Sequence, residues 1–189
     1  MQGFISIITD ITIRKQMEEA LREQATHDSL TGLLNRRYLN EALPRELHRC
    51  QRSGEPLTIA MLDLDYFKNF NDLYGHEAGD IVLQLVGDLL SRSVRAEDIA
   101  CRYGGEELII VMPGSAVENA RPRLDSLRQA IMRLNPRYRE NELPAITVSI
   151  GVVEAGPEET DADTLLARAD AALYQAKAQG RNRVIVVAG

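Results

Sequence analysis

The chain has 189 residues, 44% hydrophobic and 26% charged, with a formal net charge of -6, which suits one domain with a full core plus a short appendage. An acidic balance excludes a broad nucleic-acid surface, which would carry a basic excess, but not a single nucleotide neutralised by a metal ion and a few local Lys or Arg. No apolar run reaches the ~20 residues of a membrane span.

In chain order, Phe4 to Thr9 is β-rich and too short to fold alone. Asp10 and Thr12 can cap a helix over Ile13–Thr26. Its apolar positions, Ile13, Met17, Ala20, Leu21 and Ala25, make a narrow stripe suited to a short coiled-coil seam, with a frayed terminal helix as the alternative. From Asp28 the pattern becomes that of a compact α/β domain. A helix is predicted over Arg36–Gln51, broken by Ser53-Gly54-Glu55-Pro56. Leu57–Leu62 is apolar on both faces, as in a central strand covered on both sides. A polar stretch, Lys68–His76, leads to a helix over Gly79–Ser93. Two short strands flank Gly104-Gly105, the second being Leu108–Met112, stopped by Pro113-Gly114. A helix over Val117–Leu134, a strand over Ile146–Val152, a helix over Asp163–Gln179 and a strand over Val184–Val187 complete the chain. Two adjacent antiparallel strands in a sheet otherwise crossed by helices predict an α/β (α+β) fold with a mixed central sheet. Cys50 and Cys101 lack metal-type spacing, which points to a reducing cytoplasm. The first five residues lack a signal-peptide layout. The expectation is a cytoplasmic segment without membrane contact of its own, in a parent chain that an upstream anchor could still tether.

Two features carry chemistry. Asp63 and Asp65 bracket Leu64 at the end of the most apolar strand, where a buried carboxylate is costly unless paired or bound to metal. The bland reading is a pair of solvated strand-end acids. Gly104-Gly105 reads as a two-residue hairpin turn with positive φ, and Glu106 and Glu107 then begin the outgoing strand. If strands 57–62 and 108–112 are neighbours, Asp63 and Glu106 lie close together. Clustered oxygens of this kind suit Mg²⁺, which shares its octahedral shell with phosphates.

Five blocks, in order, resemble the GGDEF-domain diguanylate cyclases. They are Asp28-Ser29-Leu30-Thr31-Gly32-Leu33-Leu34-Asn35-Arg36-Arg37, Asp63 to Asp72, Gly75-His76-Glu77-Ala78-Gly79-Asp80, the hairpin Arg102-Tyr103-Gly104-Gly105-Glu106-Glu107-Leu108, and Tyr174 to Lys177 with Gly180 to Arg183. The resemblance spans about Asp28 to Val187. It implies a nucleotide-cyclase, polymerase-palm-like sheet and condensation of two GTP into cyclic di-GMP, releasing two pyrophosphates. It further implies metal held by Asp63, the Leu64 carbonyl and Glu106, with Glu107 a further ligand; the metal is Mg²⁺, with Mn²⁺ the substitute. Asn71 and Asp80 would contact the guanine or ribose, with His76 nearby. Lys68, Lys177 and Arg181 would neutralise the triphosphate, although cations at a helix C-terminus also have a dipole reason to be there. Glu106 and Lys68 are the implied catalytic residues, Glu106 as metal ligand or proton acceptor. Each domain holds one GTP, so catalysis requires a homodimer.

Arg95-Ala96-Glu97-Asp98 is similar to the family's RxxD product-inhibition site, which would make cyclic di-GMP an inhibitor as well as the product; a local Arg–Asp pair is the alternative. Residues 1–12 look like the last strand of a PAS sensor domain, 13–27 like a signalling helix, and 28–189 like the catalytic domain. Leu108 stands where the family usually has an aromatic, and is expected to pack behind the hairpin. Two other readings use the same residues: a silent domain binding cyclic di-GMP or GTP as a regulatory ligand, and a class III nucleotide cyclase, which the full set of blocks disfavours.

Overall fold

A computed structural model describes residues 24–187. The expected strand at 4–9 and all but the last turn of the helix at 13–26 lie outside the described residues. Residues 24–26 are helical and lead into the turn at Asp28.

The core is organised by one strand. β2 (Leu57–Leu64) is buried at every position, because both of its faces are covered. Ala60, Leu62 and Leu64 pack with Val82, Val86 and Leu90 of one helix and Leu124 and Leu127 of another. Leu57, Ile59 and Met61 face the opposite way, against Leu39, Leu43 and Leu47 and against Leu165, Ala169 and Leu173. The period-2 alternation of side chains thus feeds two separate cores. The helices on the first face are α3 (His76–Ser93) and α4 (Val117–Met132); those on the second are α1 (Arg36–Ser53) and α5 (Ala162–Ala178).

The sheet has the order β1-β3-β4-β2-β7-β8, with β1 (Leu34–Asn35), β3 (Ile99–Gly104), β4 (Glu107–Pro113), β7 (Val148–Glu154) and β8 (Val184–Val187). The four inner strands pair antiparallel, while β1 on β3 and β8 on β7 are parallel. This is the expected mixed sheet. α1 is capped by Asn35, whose Oδ1 accepts from the Tyr38 N–H at 2.9 Å, and it stops at Gly54, which takes the left-handed conformation (φ 70°).

Three features differ from the sequence expectation. The polar stretch after β2 contains a helix of its own, α2 (Phe67–Tyr74), and α3 starts at His76 instead of Gly79. Phe67 and Phe70, one turn apart, bury the inner face of α2, and the polar residues around them hide that signal. A small hairpin, β5 (Arg137–Tyr138) with β6 (Asn141–Glu142), precedes β7; its residues are mostly exposed and carry no apolar alternation. β1 is a two-residue edge strand, too short to be read from periodicity. No helix among the described residues is long and apolar enough to cross a membrane.

α5 lies directly on β7 at Gly151. A Cβ there would meet the Leu173 nitrogen at 2.1 Å, the Ala169 oxygen at 2.5 Å and the Ala172 carbonyl carbon at 2.6 Å. All three are backbone, so no side-chain adjustment can relieve the overlap. Gly151→Ala should therefore force α5 off the sheet and cost about 3 kcal/mol or more, read as a lower urea midpoint; a parental midpoint would show that the helix can shift freely.

Candidate active site

The strand-end carboxylates come together through the register of β2 and β4. Asp63 lies directly opposite Glu107 in the ladder. The hairpin is built one residue later than expected. β3 runs through Gly104, which pairs with Glu107, and the ladder slips between Arg102 and Gly104. The extra residue is Tyr103, so the two-residue turn is Gly105-Glu106, with Gly105 alone of the two glycines at positive φ (+53°). Glu106 consequently stands on the turn, whereas Glu107 is fixed in the strand.

Both aspartates are buried, Asp63 at 7% and Asp65 at 4% exposure, so they are not solvated strand-end acids. Asp65 accepts hydrogen bonds from the hydroxyls of Thr147 and Ser149, each at 2.6 Å, and from the Asn182 backbone N–H at 3.0 Å. It ties the end of β2 to β7 and to the loop after α5. The sequence signals Asp65 only through its period-2 spacing from Asp63. Asp63 instead turns toward α5, where the Lys177 ammonium lies 2.8 Å from its Oδ2.

Burial pushes the Asp63 carboxyl above its ordinary value; Lys177 opposes the rise, and nearby Glu106 and Asp65 add to it. Burial likewise raises Glu107, helped by Asp63, Asp170 and Glu106 and opposed by Lys177. Acids crowded in this way favour a cation among them. Among the described residues no group of three or more His, Cys, Asp or Glu side chains is assembled as a ready metal cluster. Mg²⁺ does not need one, because it usually binds one or two carboxylates and completes its shell with water and phosphate. Leu64, whose carbonyl is the expected backbone ligand, is the last residue of β2.

The expected base-binding residues gather at the elbow between α2 and α3. Asn71 packs its side chain against Gly79, where a Cβ would fall 1.9 Å from Asn71 Oδ1. That oxygen is buried without a hydrogen-bond partner among the described residues, which is uncommon for a buried polar atom. His76 and Asp80 are exposed on α3, one turn apart. Lys68, also exposed, sits one turn before Asn71 on α2.

On the other flank, Arg181 follows the end of α5 with φ 62°, and Asn182 continues at φ 45°. The Arg181 guanidinium stands over the ring of Tyr66, 4.5 Å from its centroid. Tyr66, itself at φ 57°, begins α2. Lys177, Arg181 and the start of α2 are thus brought around the Asp63 end of the sheet. Leu108 is fully buried behind the hairpin, as expected.

The Arg95–Asp98 turn lies at the opposite end of β3, about 20 Å away at the ordinary strand rise. Its two side chains do not pair. Asp98 Oδ2 accepts from the Arg95 backbone N–H at 2.9 Å and from Arg123 Nη2 of α4 at 2.5 Å. The Asp98 side chain is 1% exposed. The Arg95 guanidinium faces solvent with Glu97 at 3.9 Å.

Known proteins resemble this chain in sequence and fold. The response regulator PleD of Caulobacter vibrioides is 38% identical over 174 residues, covering 92% of this chain and 38% of the relative. Diguanylate cyclase DgcM of Escherichia coli is 36% identical over 181 residues, covering 96% of this chain and 43% of the relative. The chain therefore spans less than half the length of these curated relatives. Among solved structures, the coiled coil and GGDEF domain of DgcB from Caulobacter crescentus, in complex with c-di-GMP, superposes with a TM-score of 0.87 at 34% identity, covering 94% of this chain and 93% of that one. The family model for the diguanylate cyclase GGDEF domain matches residues 25–183, from the last helical residues before the Asp28 turn to the loop before β8, and the chain belongs to that family.

Proposed function

We propose that this chain condenses two GTP into cyclic di-GMP, with release of two pyrophosphates, in a pair of domains facing each other. The observation that carries this reading is the in-register opposition of buried Asp63 and Glu107, with Glu106 beside them on the turn.

Family membership implies a divalent metal, and the residues fit one. The Asp63 carboxylate is buried, its neighbours include acids, and among the described residues the Lys177 ammonium lies against it, which marks where positive charge is stabilised. Asp63, the Leu64 carbonyl and Glu106 would hold Mg²⁺, with Glu107 adjacent and Mn²⁺ a substitute. When bound, the metal lowers the pKa of an attacking hydroxyl and stabilises charge on the attacking and leaving oxygens.

The remaining work falls to side chains of this chain. Asn71 would contact the guanine or ribose, and Asp80 would accept from the guanine N1–H and 2-amino group, which adenine lacks. His76 borders the same elbow. Lys68, Lys177 and Arg181 counter the triphosphate. The 3′-hydroxyl of one GTP forms a bond to the α-phosphorus of the other, the bond to pyrophosphate breaks, and the hydroxyl proton leaves to Glu106 or to water. Because one domain holds one GTP, a second copy must supply the other. Residues 13–26, for which the sequence predicts a helix, would be suited to set how two copies approach, and product binding at Arg95 and Asp98 would restrain them.

Incubating the purified chain with GTP and Mg²⁺ at high protein concentration should yield cyclic di-GMP, identified by mass spectrometry. Glu106→Gln should lower the rate at least about a hundredfold with an unchanged circular dichroism spectrum; retained turnover would remove Glu106 from the machinery. Arg95→Ala should relieve inhibition by added product, and undiminished inhibition would return Arg95 to a local role. A fourth outcome concerns stability without metal. Burial raises the folded-state pKa of Glu107, so its ionisation begins to cost stability as pH rises above the ordinary carboxylate value, and the loss is complete above the raised one. Glu107→Gln should therefore stabilise the metal-free protein at neutral pH, by less than about 1 kcal/mol for a partly exposed group. The gain should vanish below the ordinary carboxylate range, where Glu107 is protonated in both states. Chemical denaturation at the two pH values measures it, and a loss of stability at neutral pH would refute the crowding.

A further inference from the structure

The block from Asp28 to Arg37 has no part in the chemistry above, yet it is wired to the hairpin. Arg102, on β3, reaches in two directions. Its Nη1 donates to both carboxylate oxygens of Asp28, at 3.0 and 3.2 Å, and its Nε donates to the Gly105 carbonyl at 2.9 Å. One guanidinium thus joins the turn that begins the domain to the turn that carries Glu106. The pair is largely enclosed, with side-chain exposures of 17% and 23%, so water does little to replace it.

The Asp28 end of this link is rigidly held. Asp28 Oδ1 accepts from the N–H and the hydroxyl of Thr31, at 2.9 and 2.8 Å. Its backbone N–H donates to the Leu33 carbonyl at 2.8 Å, and its own carbonyl accepts from the Gly32 N–H at 2.9 Å. Burial would raise the Asp28 carboxyl, but the Thr31 hydrogen bonds and Arg102 outweigh it and hold the group below its ordinary value. The turn is also seated on α3, for a Cβ at Gly87 would meet the Thr31 oxygen at 2.6 Å.

The same turn grips the helix that precedes it. Asn35, whose Oδ1 caps α1, uses its Nδ2 to donate to the carbonyls of Ala25 (3.1 Å) and His27 (3.2 Å). Arg37 Nη2 also donates to the Ala25 carbonyl. The path from the preceding helix to Glu106 therefore runs through a few polar contacts: Ala25 to Asn35, the Asp28 turn, Arg102, then the Gly105 carbonyl. By contrast, Gly105 makes no close packing contact at the tip, where a Cβ would meet nothing within 4 Å.

The geometry points to Arg102 as a positioning residue, through which the turn at Asp28 sets where the Gly105-Glu106 turn places its carboxylate. Arg102 touches no reacting atom in this account. It fixes the carbonyl next to Glu106, and its other hand is on the segment through which an upstream element joins the domain. A displacement of the preceding helix that pulls on Asp28 is carried to the hairpin by one planar guanidinium that holds both partners through different nitrogens, which a lysine ammonium cannot reproduce in fixed geometry.

The inference rests on the cyclase reading for its kinetic half only. The test uses the full chain and three variants, Arg102→Gln, Asp28→Asn and the double substitution, with Arg102→Lys as the charge-conserving control. Hydrogen exchange of the metal-free protein is read at the amides of residues 105–108 and in the β2–β7 ladder; kcat and KM for GTP are read beside it. Arg102→Gln should speed exchange at the turn about tenfold while the ladder stays protected, and lower kcat about tenfold with KM changed less than about threefold. Arg102→Lys should rescue little. Asp28→Asn should move both readouts the same way, and the double variant should be no worse than Arg102→Gln alone, because both act on one link. Parental exchange at the turn in Arg102→Gln overturns the proposal, as does uniform loosening of turn and ladder together, or additive effects in the double variant. Should the parent chain make no cyclic di-GMP, the cyclase reading fails and the exchange measurements alone decide the role of Arg102.

Discussion

The structure depends on a charge placed at the end of a strand that is otherwise wholly apolar. β2 is dry along its length because four helices cover its two faces. Asp63, next to its last residue, is thus held in a low-dielectric margin where only a cation or hydrogen bonds can stabilise it. The candidate site is arranged around that demand: Lys177 from α5, Glu107 from the neighbouring strand, and Glu106 from the turn above. The same burial that makes the core strong makes the site electrostatically strained, and the strain is of the kind that binding a divalent ion and a phosphate group would relieve.

Much of this was legible from residues alone. The apolar doublet of faces in Leu57–Leu62 announced a covered central strand, and the terminators Gly54, Pro113-Gly114 and Gly180 stopped their elements close to the observed ends. The acids were legible because strand-end carboxylates and a glycine turn are cheap to recognise. What escaped was geometry set by non-local packing. α2 was hidden because its helix signal is only Phe67 and Phe70 amid polar residues, and its burial is decided by α3 and the core behind it. The hairpin was misplaced by one residue because the slip at Tyr103 belongs to the ladder between two strands, and neither strand carries that information by itself. Asp65 resembled Asp63 in every local respect; its partners, Thr147, Ser149 and Asn182, come from more than 80 positions away in sequence.

The placement of the Arg95–Asp98 turn also follows from the sheet. It shares β3 with the hairpin but occupies the other end, so the two turns are mechanically connected by a strand that is itself paired on both sides. Asp98 is held inward by Arg123, leaving the Arg95 guanidinium as the group that faces solvent. Any ligand meeting this turn first encounters an arginine, not an ion pair already closed on itself.

The Asp65 contacts have one more consequence. They tie the strand end, β7 and the loop bearing Arg181 into one hydrogen-bonded unit, which would give the proposed phosphate side of the site a firm backing. The proposed base side is a more open elbow around Gly75, with Leu73 at 77% exposure and with Asn71 and Phe67 packed against Gly79 behind it. Under the proposed function this contrast divides the evolutionary freedom of the protein: the acids sit beside a network in which each partner constrains the rest, whereas the choice of base would rest on exposed side chains such as His76 and Asp80, which can be exchanged one at a time.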